Sequence, residues 1–234
     1  MAGFWADLAD LVLPVECAAC RGRGEPLRYG VCASCASGLE ALRPVSVRPL
    51  PAPPGLPRCV ALGRYDGPLR EVLLSYKERG RHGLARPLGR LLAEVVAAAA
   101  GGPRPVLLIP VPATARAARQ RHGDHMRRLA RQAAGRLAAA GWPVALARPL
   151  HALPRPDSAT LDSAGRAAVA ATAFRLRPGR VPALRRAATG RAVVVLDDIV
   201  TTGATLAAVT RLLVSAGVPV TAAALLAATP RRRR

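Results

Sequence analysis

From residue 58 to residue 230 the chain alternates short apolar runs with longer segments mixing apolar and basic positions. Short runs bounded by turn residues read as buried strands, and the longer segments read as helices. Cys59–Tyr65 reads as a strand. Asp66 then stands at an N-cap position with Pro68 in the first turn, which predicts a helix to about Arg79. A second helix is expected over residues 84–100, and a short strand over Pro105–Val111 that ends in a Pro-x-Pro turn. Residues 115–140, rich in Ala, Arg and Leu, predict one long helix stopped by Gly141. Pro143–Ala147 reads as a brief strand, the stretch bearing Pro149, Pro154 and Pro156 as irregular, and Asp162–Ala173 as a helix. The last part is the clearest: a strand at Ala192–Leu196, an acidic Thr-Gly loop, a helix at Ala204–Ala216 stopped by Gly217, and a strand at Val218–Ala227. Strands alternating with helices imply an α/β fold with a mainly parallel sheet flanked by helices.

The first 57 residues break this rhythm. Residues 1–42 hold four of the five cysteines and form a separate head. Residues 43–57 carry Pro44, Pro49, Pro51, Pro53, Pro54 and Pro57, a stiff linker that cannot be a helix or a central strand. The expected organisation is therefore a head (1–42), a linker (43–57), an α/β domain (58–230) and a basic tail (231–234). At 51% hydrophobic residues the chain can build a core, and at 3% aromatics it must do so with Leu, Val and Ala.

Apolar runs reach only about ten residues, as at Leu91–Ala100 where Glu94 interrupts, short of the ~20 needed to span a bilayer. Met1–Pro14 is apolar but carries Asp7 and Asp10 without a basic flank, a poor signal peptide. A cytoplasmic protein without membrane insertion is expected. Net charge is +21, and every basic residue except Lys77 is Arg. That balance suits acidic partners, either nucleic acid or phosphorylated small molecules; an Arg-rich coding bias spread over solvated helix faces gives the same number.

The segment Val193–Thr205 carries the chemistry. Apolar residues run into Asp197 and Asp198, then a small-residue turn, then a helix, which puts the acids at the carboxyl end of a buried strand where open α/β sheets bind ligands. Adjacent carboxylates can accept hydrogen bonds from the vicinal hydroxyls of a ribose. Thr201, Thr202, Gly203, Ala204 and Thr205 offer backbone N–H groups, three hydroxyls and a helix N-terminus, an anion site for a phosphate. Neither a Gly-x-x-x-x-Gly-Lys loop nor a Gly-x-Gly-x-x-Gly turn after a strand is present. A capped strand–helix junction would account for one acid and one Thr, and a phosphoacceptor domain would not need the Thr-Gly-x-Thr turn. The reading is a ribose 5-phosphate loop.

Cys17-x-x-Cys20 and Cys32-x-x-Cys35 form two pairs, with Gly22, Gly24 and Gly30 beside them for tight turns. Two such knuckles complete a tetrahedral structural Zn²⁺ site. Two disulfides or a redox dithiol are the alternatives, and the expected compartment disfavours disulfides. Cys59 reads as a buried core residue.

The Val193–Thr205 string resembles the phosphoribosyl pyrophosphate (PRPP) signature of type I phosphoribosyltransferases. The whole chain resembles the ComF family, in which a short cysteine-rich head precedes such a domain. Tyr65–Gly80 with Lys77, the Ile109-Pro110-Val111-Pro112 turn and the stretch Arg166–Phe174 are similar to family features. The resemblance implies displacement at the ribose anomeric carbon, with Mg²⁺ on the pyrophosphate and ribose oxygens and with Asp197 and Asp198 anchoring the ribose. It also implies pyrophosphate ligands among the amides after Val111 and Pro112, Lys77 and Arg116. His122 and His125, three apart, are candidate acceptor-side groups. The chain departs from the family at Arg121–Met126, where an Arg-Gly-Phe-Asn-Gln run is usual, at Asp157-Ser158 and at Val169. The acceptor is thus left unassigned. The implied function is a phosphoribosyltransferase-type transferase. The alternative is a non-catalytic competence protein of DNA uptake that binds single-stranded DNA or nucleotides. A homodimer would follow by analogy alone.

Overall fold

The computed structural model describes residues 16–154 and 172–229. The head is a two-residue hairpin, β1 (Leu27–Arg28) and β2 (Val31–Cys32), followed by α1 (Ala33–Glu40). Next come β3 (Val45–Val47), β4 (Cys59–Arg64) and α2 (Gly67–Lys77). A single 3₁₀ turn leads into α3 (Ala85–Ala100), then β5 (Val106–Pro110), α4 (Ala115–Gln120), α5 (His125–Ala139) and β6 (Val144–Leu146). The hairpin strands β7 (Leu150–Ala152) and β8 (Phe174–Leu176) follow, then α6 (Val181–Ala188), β9 (Ala192–Val200), α7 (Ala204–Ser215) and β10 (Ala222–Ala228).

Six strands make one sheet in the order β3-β4-β10-β9-β5-β6, parallel except for β3. The side-chain period of two divides its residues between two cores. Val60, Leu62, Val106, Leu108, Val194 and Leu196 face a core shared with α2, α3, α5 and the head. Ala61, Leu107, Ile109, Val193, Val195 and Leu225 face a core under α7 and the β7–β8 hairpin. With both faces covered, the central strands are apolar on both faces except for Asp197 and Asp198 near the carboxyl end of β9. The edges are three-residue strands, β3 and β6, which offer little unpaired backbone to another chain. The protein is thus α/β with a mostly parallel sheet flanked by helices and a four-cysteine cluster near the N-terminus.

Several elements differ from their expected form. The long helix over 115–140 is two helices, because His122 (φ 51°) and Gly123 (φ 130°) adopt left-handed backbone between them. Each half has its own cap: Thr114 Oγ1 accepts from Ala117 N at 3.2 Å and Asp124 Oδ1 from Arg127 N at 3.1 Å. β9 runs on to Val200, which pairs with Ala228, so Asp197 and Asp198 lie in the strand and not in a loop. The last strand starts at Ala222, because Val218 N still bonds the helical Leu213 carbonyl and Pro219 has no N–H to give a ladder. The proline-rich segment contributes β3 as an antiparallel edge strand. Part of the stretch read as irregular is β7, paired with β8 across more than twenty residues. The helix expected over Asp162–Ala173 lies outside the described residues except for its last two positions. The features at Met1–Pro14, Asp157-Ser158, Arg166, Val169 and 231–234 lie outside them too.

Candidate functional site

A cleft of about 480 Å³ opens at the carboxyl ends of β5 and β9, where α2, α4 and α5 meet the sheet. Lys77, Val111, Pro112, Arg116, Asp197, Asp198 and Thr205 all line it. Thr201, Thr202, Gly203 and Ala204 are not among its lining residues. Sequence reasoning did not single out Thr114, Gln120, Arg121 or Ile199, which line it as well.

Each polar group is placed by an apolar neighbour. Leu69, Val72, Leu73 and Tyr76 form the buried stripe of α2, so the last turn must present Lys77 beside Tyr76 at the sheet end. Tyr76 Oη donates to the His125 carbonyl at 2.8 Å, tying α2 to the first turn of α5. Along β9 the alternation that buries Leu196 carries Asp198 to the same face. There Asp198 Oδ2 takes both Lys77 Nζ at 2.7 Å and His125 Nε2 at 3.2 Å. Its Oδ1 accepts the Ile199 N–H at 2.8 Å, so this carboxylate is fully engaged. Asp197 has one bond, from the Asp198 N–H to its Oδ1 at 3.0 Å.

The two acids therefore ionise differently. Burial acts to raise Asp198, but the Lys77 charge and the His125 hydrogen bond outweigh it and hold the group well below the usual carboxylate range. Asp197 is pushed up to about 8, first by burial and then by the neighbouring Asp198 charge. On Lys77, burial favours the neutral amine; the Asp198 charge overrides it and raises the group. One fixed carboxylate and one carboxyl poised near neutrality thus stand side by side.

The basic candidates differ in availability. Lys77 is committed to Asp198, whereas Arg116 has no ion-pair partner among the described residues. Arg121 pairs with Glu78 at 2.9 Å. The Val111 N–H is spent on the Leu196 carbonyl at 2.9 Å and Pro112 has none, so the first amides past the Pro-x-Pro turn belong to Ala113 and Thr114. The two histidines part company: His125 is in the cleft, while His122 sits in the turn, edge-on to His82 at 6.2 Å.

At the end of β9, Gly203 has φ 77° and leads into α7. Thr202 Oγ1 accepts the Ala204 N–H at 3.4 Å. A Cβ on Gly203 would stand 2.8 Å from Leu56 Cδ1 and 3.4 Å from Pro49 Cγ, so the proline-rich segment lies directly against this turn. Arg211 of α7 donates to the Pro54 carbonyl at 3.0 Å and fastens that strap to the helix.

In the head, the sulfurs of Cys17, Cys20, Cys32 and Cys35 lie within 4.8 Å of one another, and the four could hold a structural metal ion such as zinc. Among the described residues no other such group of potential ligands occurs. The Ala19 and Cys32 N–H groups approach Cys17 Sγ at 3.4 Å, as Gly22 N–H does Cys20 Sγ. Burial works to raise Cys17, but backbone hydrogen bonds from Cys20, Cys32 and Ala19 bring it down to about 6, a thiolate suited to a metal. All four cysteines and Cys59 are unpaired as disulfides. Cys59 is buried in the sheet, and burial pushes its thiol up to about 11, that of an inert core residue.

No helix among the described residues is long and apolar enough to cross a membrane. No protein-family model matches the chain, and no curated protein sequence matches it.

Proposed function

We propose that this protein binds PRPP with Mg²⁺ and transfers or recognises its phosphoribosyl group, as a phosphoribosyltransferase-type protein of ComF-like organisation with zinc in its cysteine head. The observation that carries this reading is the acid pair Asp197-Asp198 at the carboxyl end of a buried central strand. Five residues on come Gly203 and the N-terminus of α7, whose Thr205 lines the cleft of the acid pair together with Lys77 and Arg116.

The division between the acids suits the chemistry. Asp197, with a single internal bond, is free to bond ribose hydroxyls. Asp198, gripped by Lys77 and His125, is a fixed negative charge near the anomeric carbon. As the C1–O bond to pyrophosphate breaks with its electron pair, positive charge grows on the sugar, and a preorganised carboxylate stabilises it more than water does. A nitrogen nucleophile then forms the C1–N bond and sheds a proton. Arg116 and the Ala113 and Thr114 amides, which line the cleft, would bind the leaving pyrophosphate, and Thr205 with the α7 N-terminus would bind the 5-phosphate. Among the described residues the carboxylates lining the cleft are Asp197 and Asp198, so Mg²⁺ would be held mainly by the ligand's own oxygens, with Asp197 as the protein's contribution. It would neutralise the departing pyrophosphate.

Calorimetry with PRPP and Mg²⁺ tests the reading. The wild type should bind, and Asp197→Asn/Asp198→Asn should lose at least tenfold in affinity. Equal binding by the two proteins would sink it. A pyrophosphate-release screen over bases and amines then separates transfer from recognition.

A second reading, single-stranded DNA binding, is favoured by one surface feature. Tyr29 is 40% exposed, with the Arg86 guanidinium 4.9 Å and the Arg28 guanidinium 5.7 Å from its ring centroid, an arrangement on which a base can stack. Salt-dependent binding of single-stranded DNA that falls with Tyr29→Ala supports it. No binding at low salt removes it.

A further inference from the structure

At the opposite end of the sheet from the acid pair lies a second concavity of about 500 Å³. Its wall includes Arg104, Arg185 and Arg191, with Thr189 and Thr221, and no carboxylate among the described residues. It sits where β5, β9 and β10 begin: Arg104 precedes β5, Ala192 opens β9, and Thr221 precedes β10. Asp198 is six residues along β9 from Ala192, which at ~3.3 Å per residue is roughly 20 Å away. The two concavities share no residue.

Each arginine has a structural task. Arg104 Nη1 donates to Ala100 O at 3.4 Å, Arg185 Nε to Ala216 O at 2.6 Å and Arg191 Nη1 to Ala187 O at 2.9 Å. These carbonyls stand at or just past the ends of α3, α7 and α6, where a cation is favoured by the orphan carbonyls and the helix dipole. Capping uses one N–H of the five on each guanidinium. It does not account for three cations on one hollow with no counter-charge. None of the three has an ion-pair partner among the described residues, and Arg191 Nε is buried with no acceptor. Like charges gathered this way repel one another, and a bound anion removes that cost.

We propose that this basin is a binding site for a small molecule carrying two or more linked phosphate groups, pyrophosphate or a nucleoside diphosphate. Forked guanidinium donors match phosphate oxygens, and three of them balance a pyrophosphate unit better than a single phosphate. The volume is that of a metabolite site, and Ala188, Ala192 and Pro219 give an apolar wall for a base or sugar. The proposal is independent of the reading of the acid-pair cleft.

Titration calorimetry on the full chain, purified with zinc present, using inorganic pyrophosphate and separately ADP, tests it. The wild type should bind pyrophosphate at low salt. Arg104→Gln/Arg191→Gln should lose at least tenfold in affinity at that site, while Arg136→Gln, on the exposed face of α5 and outside both concavities, should leave it unchanged. Because the first variant also removes two helix caps, Thr189→Glu serves as a second. It places a carboxylate in the basin at an exposed turn, keeps all three arginines, and should block binding as well. ADP binding ten times tighter than pyrophosphate assigns a nucleotide, and equal binding assigns the phosphates alone. No pyrophosphate binding by the wild type, unchanged binding in Thr189→Glu, or an equal loss in Arg136→Gln overturns the proposal.

Discussion

Asp197 and Asp198 are neighbours in sequence and opposites in energy. Asp197 ionises near 4 in an unfolded chain and near 8 in the fold. A raised carboxyl penalises the folded state progressively as pH climbs from about 4 to about 8, and by a constant amount above that. Asp197→Asn abolishes the penalty. Its melting temperature should match that of the wild type near pH 4 and exceed it by at least about 3 °C at pH 9, as read by scanning calorimetry. Asp198 has the reverse sign. Its lowered value means that its contribution is present above about pH 4 and is lost as pH falls below it. Asp198→Asn removes the counter-charge of Lys77 and leaves a single oxygen where Lys77, His125 and the Ile199 N–H now share two. With Lys77 a quarter exposed, the cost should be about 2 kcal/mol, or roughly 4–8 °C at pH 7, shrinking in acid. A melting temperature that moves the same way in both variants would contradict this division.

Between elements, the tightest fit is the crossing of α3 and α5. A Cβ on Gly89 would stand 2.2 Å from Gln132 Cβ and 3.3 Å from the Ala133 amide, so only glycine lets the helices approach this closely. On an isolated helix Gly→Ala gains about 1 kcal/mol. Here Gly89→Ala should instead destabilise by about 2 kcal/mol or more, seen as a lower midpoint in urea, because two helices must separate. The strap behaves similarly at Gly203. Gly203→Ala combines a left-handed backbone with a clash on Leu56 Cδ1, and truncating Leu56 to Ala in the same chain should return part of the loss.

Such contacts mark the limit of what pattern alone could reveal. Strands β4, β5 and β9 and helices α2, α3 and α7 were legible because apolar runs and N- and C-terminal signals are local. The break at His122–Gly123 was hidden by the Ala-, Arg- and Leu-rich composition on both sides. The β7–β8 pair was hidden because three-residue strands acquire meaning only from a partner far along the chain. At the site, the acid pair and the Thr-Gly turn were legible as contiguous chemistry. The grip of Lys77 and His125 on one oxygen was not, since it joins residues 77, 125 and 198 through three elements.

At the scale of the molecule, the head is built into the body. Cys17, Ala18, Val31, Cys32 and Leu39 belong to the same core as Leu73, Leu88 and Leu196. Ser75 Oγ donates to the Ala18 carbonyl at 3.2 Å, Arg81 Nη1 to Glu16 O at 2.7 Å, and Arg21 pairs with Glu71 at 2.9 Å. A metal on the four sulfurs would therefore stabilise the whole, not an appendage. Chelation, or Cys17→Ser, should lower a single cooperative melting transition by more than about 5 °C rather than split it in two. A separate low-temperature transition in calorimetry would contradict the shared core.

The chain has one lysine among its thirty-five basic residues, and it stands in the cleft. An amine-selective acylating reagent thus meets a single side-chain target, a quarter exposed, and because Asp198 favours its ammonium the labelling is run at alkaline pH, where the free amine that reacts is present. Covalent tagging at Lys77, read as one mass increment on one peptide, becomes a footprint of cleft occupancy. A ligand seated against the acid pair shields the amine, whereas one bound in the arginine basin leaves its labelling rate unchanged. The scarcity of lysine gives the protein a built-in reporter that distinguishes its two ends.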